Sequence, residues 1–371
     1  MRGGRGAALR SALVRELRSN GVVRSAAVEA AFAAVPRERF TPPGTSLEET
    51  YADRALVLTR DADGQPTSTI SQPSMVALML EQLRLQPGHR VLEIGTASGY
   101  NAAILHHLTA PTGTVTTVEL DAELAATARH RLAGLEPPVL VCAGDGWLGA
   151  PEQAPFDRVQ VTVGVDDLAP VWVTQLRDGG VLVVPVTLRP GLELSLALVR
   201  SGGELQSASV HPCGFVRLRG PHAQPDGRLA VGNGATLLAD LPPGSEEAVR
   251  ALLVAGPQDA GAAGRTPDGW AVQVALDAAH PLVLTTADPK PAVCLGVYDP
   301  AGGGIAVVDG DRIASYGEAG AARLLREHLE VAVPLRAGAL RVVVRPPDAP
   351  PPPGRWTIRA RHAVFGIDRS P

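Results

Sequence analysis

The sequence predicts a doubly wound α/β domain built on a mostly parallel sheet, followed by a smaller α+β domain. Three observations carry this reading. From Arg90 to about Val186, short Val/Leu/Ile-rich runs alternate with helical stretches, the pattern of strands buried on both faces. A glycine-rich loop, Gly95-Thr96-Ala97-Ser98-Gly99, follows the first run, where such sheets bind their ligands. Past Gly220 the runs become strand-like without the regular alternation.

Taken in order, an N-terminal helical region is expected to about Phe40, where "TPPG" breaks it. "PTSTISQPSM" reads as a hydroxyl-rich turn before a helix over "MVALMLEQL", with Ser71 suited to its N-cap and Pro73 to its first turn. "RVLEIG", "GTVTTVEL", "PVLVCAGDG", "FDRVQVTVG" and "GGVLVVPV" read as strands. "NAAILHHL", "DAELAATARHRL" and "LAPVWVTQL" read as helices between them. "ELSLALVRS" and "LQSASVHPCGFVRL" have no helix between them, so an antiparallel pair is expected to end the sheet. Beyond it, "EEAVRALLVA" and "AARLLREHL" read as helices. "WAVQVALD", "PLVLTT", "AVCLGVYD", "GIAVVDGDRIASYG", "ALRVVVRPP" and "WTIRARHAVFGID" read as strands, with a Pro-rich connector before the last. The expected division is a helical region over 1–60, the sheet domain over 61–220 and the α+β domain over 221–371.

Length and composition narrow the function classes. A chain of 371 residues exceeds one ordinary core, which agrees with two domains. With 45% hydrophobic residues and a net charge of −4, neither a nucleic-acid nor a membrane footprint is present. No apolar run reaches the roughly 20 residues of a spanning helix, nor does the N-terminus offer a secretory signal, so a cytoplasmic location is expected. Cys142, Cys213 and Cys294 are too few and too far apart for a disulfide framework or a zinc site, and no metal is expected. Oligomeric state is not readable.

The loop departs from G-x-G-x-x-G: Ala97 takes its third position and Tyr100 stands where the last glycine belongs. It also lacks a P-loop lysine, so a cofactor without a phosphate is the better match. Acidic residues recur at successive strand ends. Glu119 lies about twenty residues past the loop, where a carboxylate accepts two ribose hydroxyls. Asp145 is placed to read an adenine edge, and Glu93, beneath the loop, to meet a cationic amino-acid group. Singly, each is as readily a solvated turn; jointly they point to S-adenosylmethionine.

"VLEIGTASGYNAAIL", "VTTVELDAELAATAR", "AGDGWLGAPEQAPFDRVQVT" and "QLRDGGVLVVPV", preceded by "TISQPSM", resemble the protein-L-isoaspartate O-methyltransferases. "AAFAAVPRERFTPP" and "YADRALVL" resemble that family's N-terminal region, and the similarity runs from about residue 10 to 200. The resemblance implies a seven-stranded Rossmann-like methyltransferase sheet and transfer of a methyl group from S-adenosylmethionine to a peptide carboxylate. Succinimide formation then follows. It implies Ser71 as the catalytic hydroxyl, with Thr69, Gln72, Thr162, Val163 and Gly164 around the substrate. Glu93, Gly95, Thr96, Ala97, Ser98, Gly99, Glu119, Leu120, Asp145 and Gly146 would contact the cofactor.

Three departures bear on substrate. Ala97 replaces the family's middle glycine, which requires negative φ or strain there. "VTVGVDDLAPVWVTQL" and "HPCGFVRLRG" resemble variants that methylate an aspartate in ribosomally made lanthipeptide and graspetide precursors. The C-terminal domain has no counterpart in the compact repair enzymes and suits a constrained peptide. The expectation is therefore a peptide-tailoring aspartate O-methyltransferase, with isoaspartyl repair and a non-catalytic S-adenosylmethionine-binding protein as alternatives. The partner is a peptide or protein bearing aspartate or isoaspartate.

Several residues carry plainer readings. Cys142 is expected in the core, Cys213 as a packed thiol, His89 exposed, and His106 and His107 as solvated or core. Trp172 and Tyr100 each suit either packing or a pocket, while Asp166 and Asp167 suit helix capping.

Overall fold

The computed structural model describes residues 2–223, 227–232, 234–264, 266–286 and 292–370. The chain divides into two units. Unit 1 comprises Met1–Val186, Ser195–Gln224 and Arg341–Asp368; unit 2 comprises Thr187–Leu194, Pro225–Leu340 and Arg369–Pro371.

Unit 1 begins with α1 (Arg2–Ser19), α2 (Ala26–Ala34) and α3 (Leu47–Tyr51). Ser25 caps α2 by accepting the Val28 amide, and Ser46 with Glu49 forms a capping box on α3. An antiparallel hairpin follows, β1 (Leu56–Arg60) with β2 (Pro66–Ile70). The hydroxyl-rich stretch is thus largely strand, and the hairpin straddles the expected boundary at residue 60. Its alternating Thr and Ser residues satisfy strand geometry, which overrides their turn preference. Helix α4 (Pro73–Leu83) has Pro73 in its first turn, as expected, but its N-cap is Gln72 and not Ser71.

The sheet is then laid down by β3 (Arg90–Ile94), α5 (Tyr100–Thr109), β4 (Thr114–Glu119), α6 (Ala122–Leu132), β5 (Leu140–Ala143), β6 (Phe156–Val161), α7 (Pro170–Gln175) and β7 (Leu176–Arg189). Strands β8 (Leu192–Ser201) and β9 (Glu204–Pro212) complete seven. The pairs β5–β4, β4–β3, β3–β6 and β6–β7 are parallel. Two-residue connections to β8 and β9 can join only antiparallel neighbours, so the expected antiparallel pair is present, but it does not end the sheet. Phe32, Met79, Leu80, Ile104 and Leu105 from the helices form one core cluster with Val91 and Val183 of the sheet.

Unit 2 holds β10 (Arg228–Ala230), β11 (Thr236–Ala239), α8 (Glu246–Ala255), β12 (Gln258–Ala262), α9 (Trp270–Asp277), β13 (Pro281–Thr286), β14 (Ala292–Asp299), β15 (Gly304–Asp309), β16 (Arg312–Gly317) and α10 (Gly320–Val331). Its sheet order is β10-β11-β13-β14-β15-β16-β12. Along β15, Ala306 and Val308 join Val274, Leu325 and Leu329 in one cluster, while Ile305 and Val307 join Val249 and Leu284 in another. The period of two thus gives α9 with α10, and α8, separate faces to cover. "WAVQVALD" is a helix and not a strand: Gln273, Val274, Ala275 and Leu276 are consecutively buried, which no alternating strand pattern produces.

The chain then returns. β17 (Leu340–Arg345) pairs with β9, and β18 (Trp356–Arg359) and β19 (Val364–Arg369) extend that edge, giving a ten-stranded sheet in the order β18-β19-β17-β9-β8-β7-β6-β3-β4-β5. The expected domain over 221–371 is corrected accordingly: Arg341–Asp368 belong to unit 1 and Thr187–Leu194 to unit 2. Which edge a strand pairs with depends on partners far away in sequence, so local composition cannot report it.

Candidate active site

The carboxyl ends of β3, β4 and β6 open into a cleft. The loop after β3 forms its floor. Gly95 takes φ 96°, and a Cβ there would lie 2.6 Å from Thr162 Oγ1, so only glycine fits. Thr162 Oγ1 reaches the carbonyls of Ile94 (2.9 Å) and Gly95 (2.8 Å), pinning the loop to the end of β6. Ala97 takes φ 48°, the strained alternative of the two expected. Its amide donates to Glu119 Oε2 at 2.7 Å, and the Asp121 amide donates to Oε1 at 3.1 Å. A carboxylate has about four lone-pair sites, so Glu119, which lines the cleft, retains acceptor capacity.

Beneath the loop lies a buried polar network. Thr117 Oγ1 donates to Glu93 Oε2 (2.5 Å), and Thr96 Oγ1 lies 2.6 Å from Thr117 Oγ1. Asn101 Nδ2 donates both to Glu93 Oε1 (2.6 Å) and to Gln160 Oε1 (2.9 Å). Burial pushes the Glu93 carboxyl up to about 7, against the Thr117 and Asn101 hydrogen bonds, with the nearby Glu119 charge adding to the rise. Among the described residues, Ser98 Oγ, Asn101 Oδ1 and Gln160 Nε2 are buried without partners, and all three residues line the cleft.

A further wall comes from β2 and the turn before α4, where Thr67, Ser68, Thr69, Ile70 and Ser71 line the cleft. The Ser71 carbonyl accepts from Arg37 Nη1 at 3.0 Å. Its hydroxyl, released from the capping role, has no hydrogen-bond partner among the described residues. A strap over residues 215–219 forms the remaining side. It is fixed by backbone hydrogen bonds from Gly164 N to Val216 O (2.8 Å) and from Leu218 N to Gly164 O (2.9 Å).

The expected site residues therefore separate. Thr69, Ser71, Gly95, Thr96, Ala97, Ser98, Glu119, Leu120, Gly146, Thr162 and Val163 line one cleft. Glu93 does not; it is fully buried beneath the loop, bonded to Asn101 and Thr117. Gly99 starts α5 with φ 89° and sits against Leu132. Asp145 accepts the Trp147 amide and pairs with His222 Nδ1 at 2.7 Å, and it does not line the cleft. Gln72 is exposed and bonded to Asp53, and Gly164 acts through its backbone on the strap.

Plainer readings sort likewise. Trp172 is fully buried and donates Nε1 to the Gly146 carbonyl at 2.9 Å, a packing role. Tyr100 both lines the cleft and packs on Phe32 and Phe40. Asp166 and Asp167 do not cap α7, whose N-cap is Ala169; Asp166 pairs with Arg217 and Asp167 with His362. His106 is buried and His107 exposed, whereas His89 and Cys142 are half-buried, against the expected exposed and core positions. Cys213 is also half-buried. Asn101 and Gln160 escaped the sequence reading, and the strap enters it only by resemblance, within "HPCGFVRLRG". Gln160 carried a signal, a lone amide inside the apolar run "RVQVTV".

A family model described as protein-L-isoaspartate(D-aspartate) O-methyltransferase matches residues 8–222. The chain is 42% identical over 213 residues to the protein-L-isoaspartate O-methyltransferase of Methanopyrus kandleri, covering 57% of this chain and 91% of that one. It is 44% identical over 200 residues to protein-L-isoaspartate O-methyltransferase 1 of Geotalea uraniireducens, covering 53% and 87%. A solved protein-L-isoaspartate O-methyltransferase aligns with 98% of this chain and 100% of its own, at 25% identity and a TM-score of 0.56. Unit 2 therefore has a counterpart in a protein of that description, contrary to the expectation from compact enzymes. Among the described residues, no helix is long and apolar enough to cross a membrane.

Proposed function

The chain belongs to the protein-L-isoaspartate O-methyltransferase family, a family of S-adenosylmethionine-dependent carboxyl methyltransferases, and from that premise we propose how its cleft works. The loop at 95–98 and Glu119 hold S-adenosylmethionine, while Ser71 steadies an aspartyl or isoaspartyl carboxylate of a peptide. The unpartnered Ser98 Oγ, Asn101 Oδ1 and Gln160 Nε2 fit this cofactor, because an amino-acid group offers an ammonium donor and carboxylate acceptors. Glu119 keeps lone pairs for a ribose diol.

When bound by the loop at 95–98 and Glu119, S-adenosylmethionine would supply an electrophilic sulfonium methyl group, with its sulfur as the leaving group, to the carboxylate that Ser71 holds. The chain's own residues need supply no strong base, since a carboxylate with a pKa near about 4 is already ionised at neutral pH. They must orient the acceptor and exclude water, effects that contribute up to roughly 7–11 kcal/mol. A neutral hydroxyl suits Ser71's place, because it holds one oxygen without pairing the nucleophile to a charge. The observation that carries the proposal is this free hydroxyl lining the same cleft as the loop and Glu119. Replacing Ser71→Ala should slow methyl transfer by about tenfold to a few hundredfold. An unchanged rate, measured with labelled methyl groups on a peptide acid, would remove Ser71 from the mechanism. Cofactor binding with no label on any peptide would favour the binding-only reading.

Isoaspartyl repair fits these features well. A second reading, tailoring of a ribosomally made precursor, is supported by the 161–176 segment and its likeness to precursor-modifying variants. Unit 2 does not separate the two, since it has a counterpart in a solved protein-L-isoaspartate O-methyltransferase. Turnover on a linear isoaspartyl peptide against a macrocyclic aspartate-containing precursor does separate them. Preference for the linear peptide defeats tailoring.

A further inference from the structure

The cleft is uneven in charge. Among the described residues Glu119 is its only lining carboxylate, and two backbone amides already bond to it. The cations lining it are Arg217 and Arg219, both on the strap. They are not equivalent. Arg217 is half-buried and paired with Asp166, so its charge is locally answered. Arg219 is exposed, and among the described residues it has neither a hydrogen bond nor an ion pair. The same cleft also carries the neutral hydroxyls of Thr69 and Ser71. A guanidinium presents a fork of donors that matches a carboxylate in two-point geometry.

We infer that Arg219 forms a subsite for a second carboxylate of the peptide, selecting acceptors flanked by an acidic residue. The inference rests on the peptide-carboxylate reading above and concerns which peptides that site takes. On either side of Arg217 the strap is bonded to Gly164, whose amide donates to the Val216 carbonyl and whose carbonyl accepts from the Leu218 amide, so the backbone carrying Arg219 is held against the cleft and not left as a loose tail. One charge at the wall adds an attraction that an uncharged flanking residue does not receive, and it weakens with salt.

The test uses the full chain and two peptides, identical except that one carries Glu and the other Gln two residues from the acceptor. The quantity read is the ratio of their kcat/KM values. In the unsubstituted protein the acidic peptide is expected to lead by about three- to tenfold at low salt, with the lead shrinking toward about 0.5 M salt. In Arg219→Gln the ratio falls to near unity, and in Arg219→Glu it inverts. Arg15→Gln, which removes an exposed cation on α1, is the charge-matched control and keeps the original ratio. A ratio near one in the unsubstituted protein overturns the inference. So does a ratio that survives Arg219→Glu, or an Arg219→Gln effect confined to S-adenosylmethionine affinity by calorimetry. Methylation of neither peptide overturns the function proposed above, a different outcome from methylation without preference.

Discussion

The fully buried guanidinium of Arg37 donates from Nη1 to the carbonyl of Ser71 at 3.0 Å, and its carbon lies 5.1 Å over the Tyr100 ring. A second donor, Nη2, reaches the Arg54 carbonyl at 3.4 Å. One side chain thus ties the N-terminal helices to the serine turn and to the first residue of α5. Burial depresses its pKa, an expense that only specific hydrogen bonds justify.

Arg37→Met should therefore lower kcat by about 10- to 100-fold, since a hydrogen bond to a charged group contributes about 1.5–3 kcal/mol. S-adenosylmethionine affinity should change less, because the 95–98 loop is held by Thr117, Thr162 and Glu119 instead. Steady-state kinetics beside calorimetry reads both quantities. An equal loss in both would make Arg37 a general stabiliser and not a positioning residue.

Ala97→Gly should stabilise the protein, because an alanine at φ 48° carries strain of about 1 kcal/mol that glycine relieves. Greater freedom of glycine in the unfolded chain opposes part of that gain. A thermal melt showing a loss of stability instead would mean that the alanine methyl makes a compensating contact.

Glu93→Gln should flatten the pH dependence of stability. The Glu93 carboxyl titrates near about 7 in the fold against 4.5 in the reference, so the folded state holds its proton longer. Its contribution is fully present below pH 4.5 and is lost as pH rises through about 7, an effect of about 3 kcal/mol at most. Comparing denaturant midpoints of both proteins at pH 5 and pH 8 isolates it. The unsubstituted protein should lose more than the variant over that interval.

Truncation after residue 223 should impair folding and not merely remove a domain. It deletes β17, β18 and β19, which bury Val342, Phe365 and Ile367, and it exposes the β9 edge that pairs with Val343 and Val344. Each of those side chains contributes about 1.5–3 kcal/mol, and an open edge invites aggregation. A soluble fragment melting like the whole chain would contradict this.

The sequence by itself determined the repeating strand and helix order from Arg90 to Ser201, the glycine loop and the strand-end Glu119, because each has a local signature. Periodicity, a tight turn and a strand-end carboxylate are written within a few residues. Tertiary structure decided what those residues touch. Glu93 and Asp145 look alike as strand-end acids, but Thr117 and Asn101 claim the first and His222 the second. The same holds for the strap at 215–219 and for the last strands, whose partners lie 51 residues (Asp166 to Arg217) and more than 130 residues (Ser207 to Val342) away in sequence. A hydrogen-bonding group is satisfied by whichever partner the fold brings within about 3 Å, and no local pattern encodes that choice.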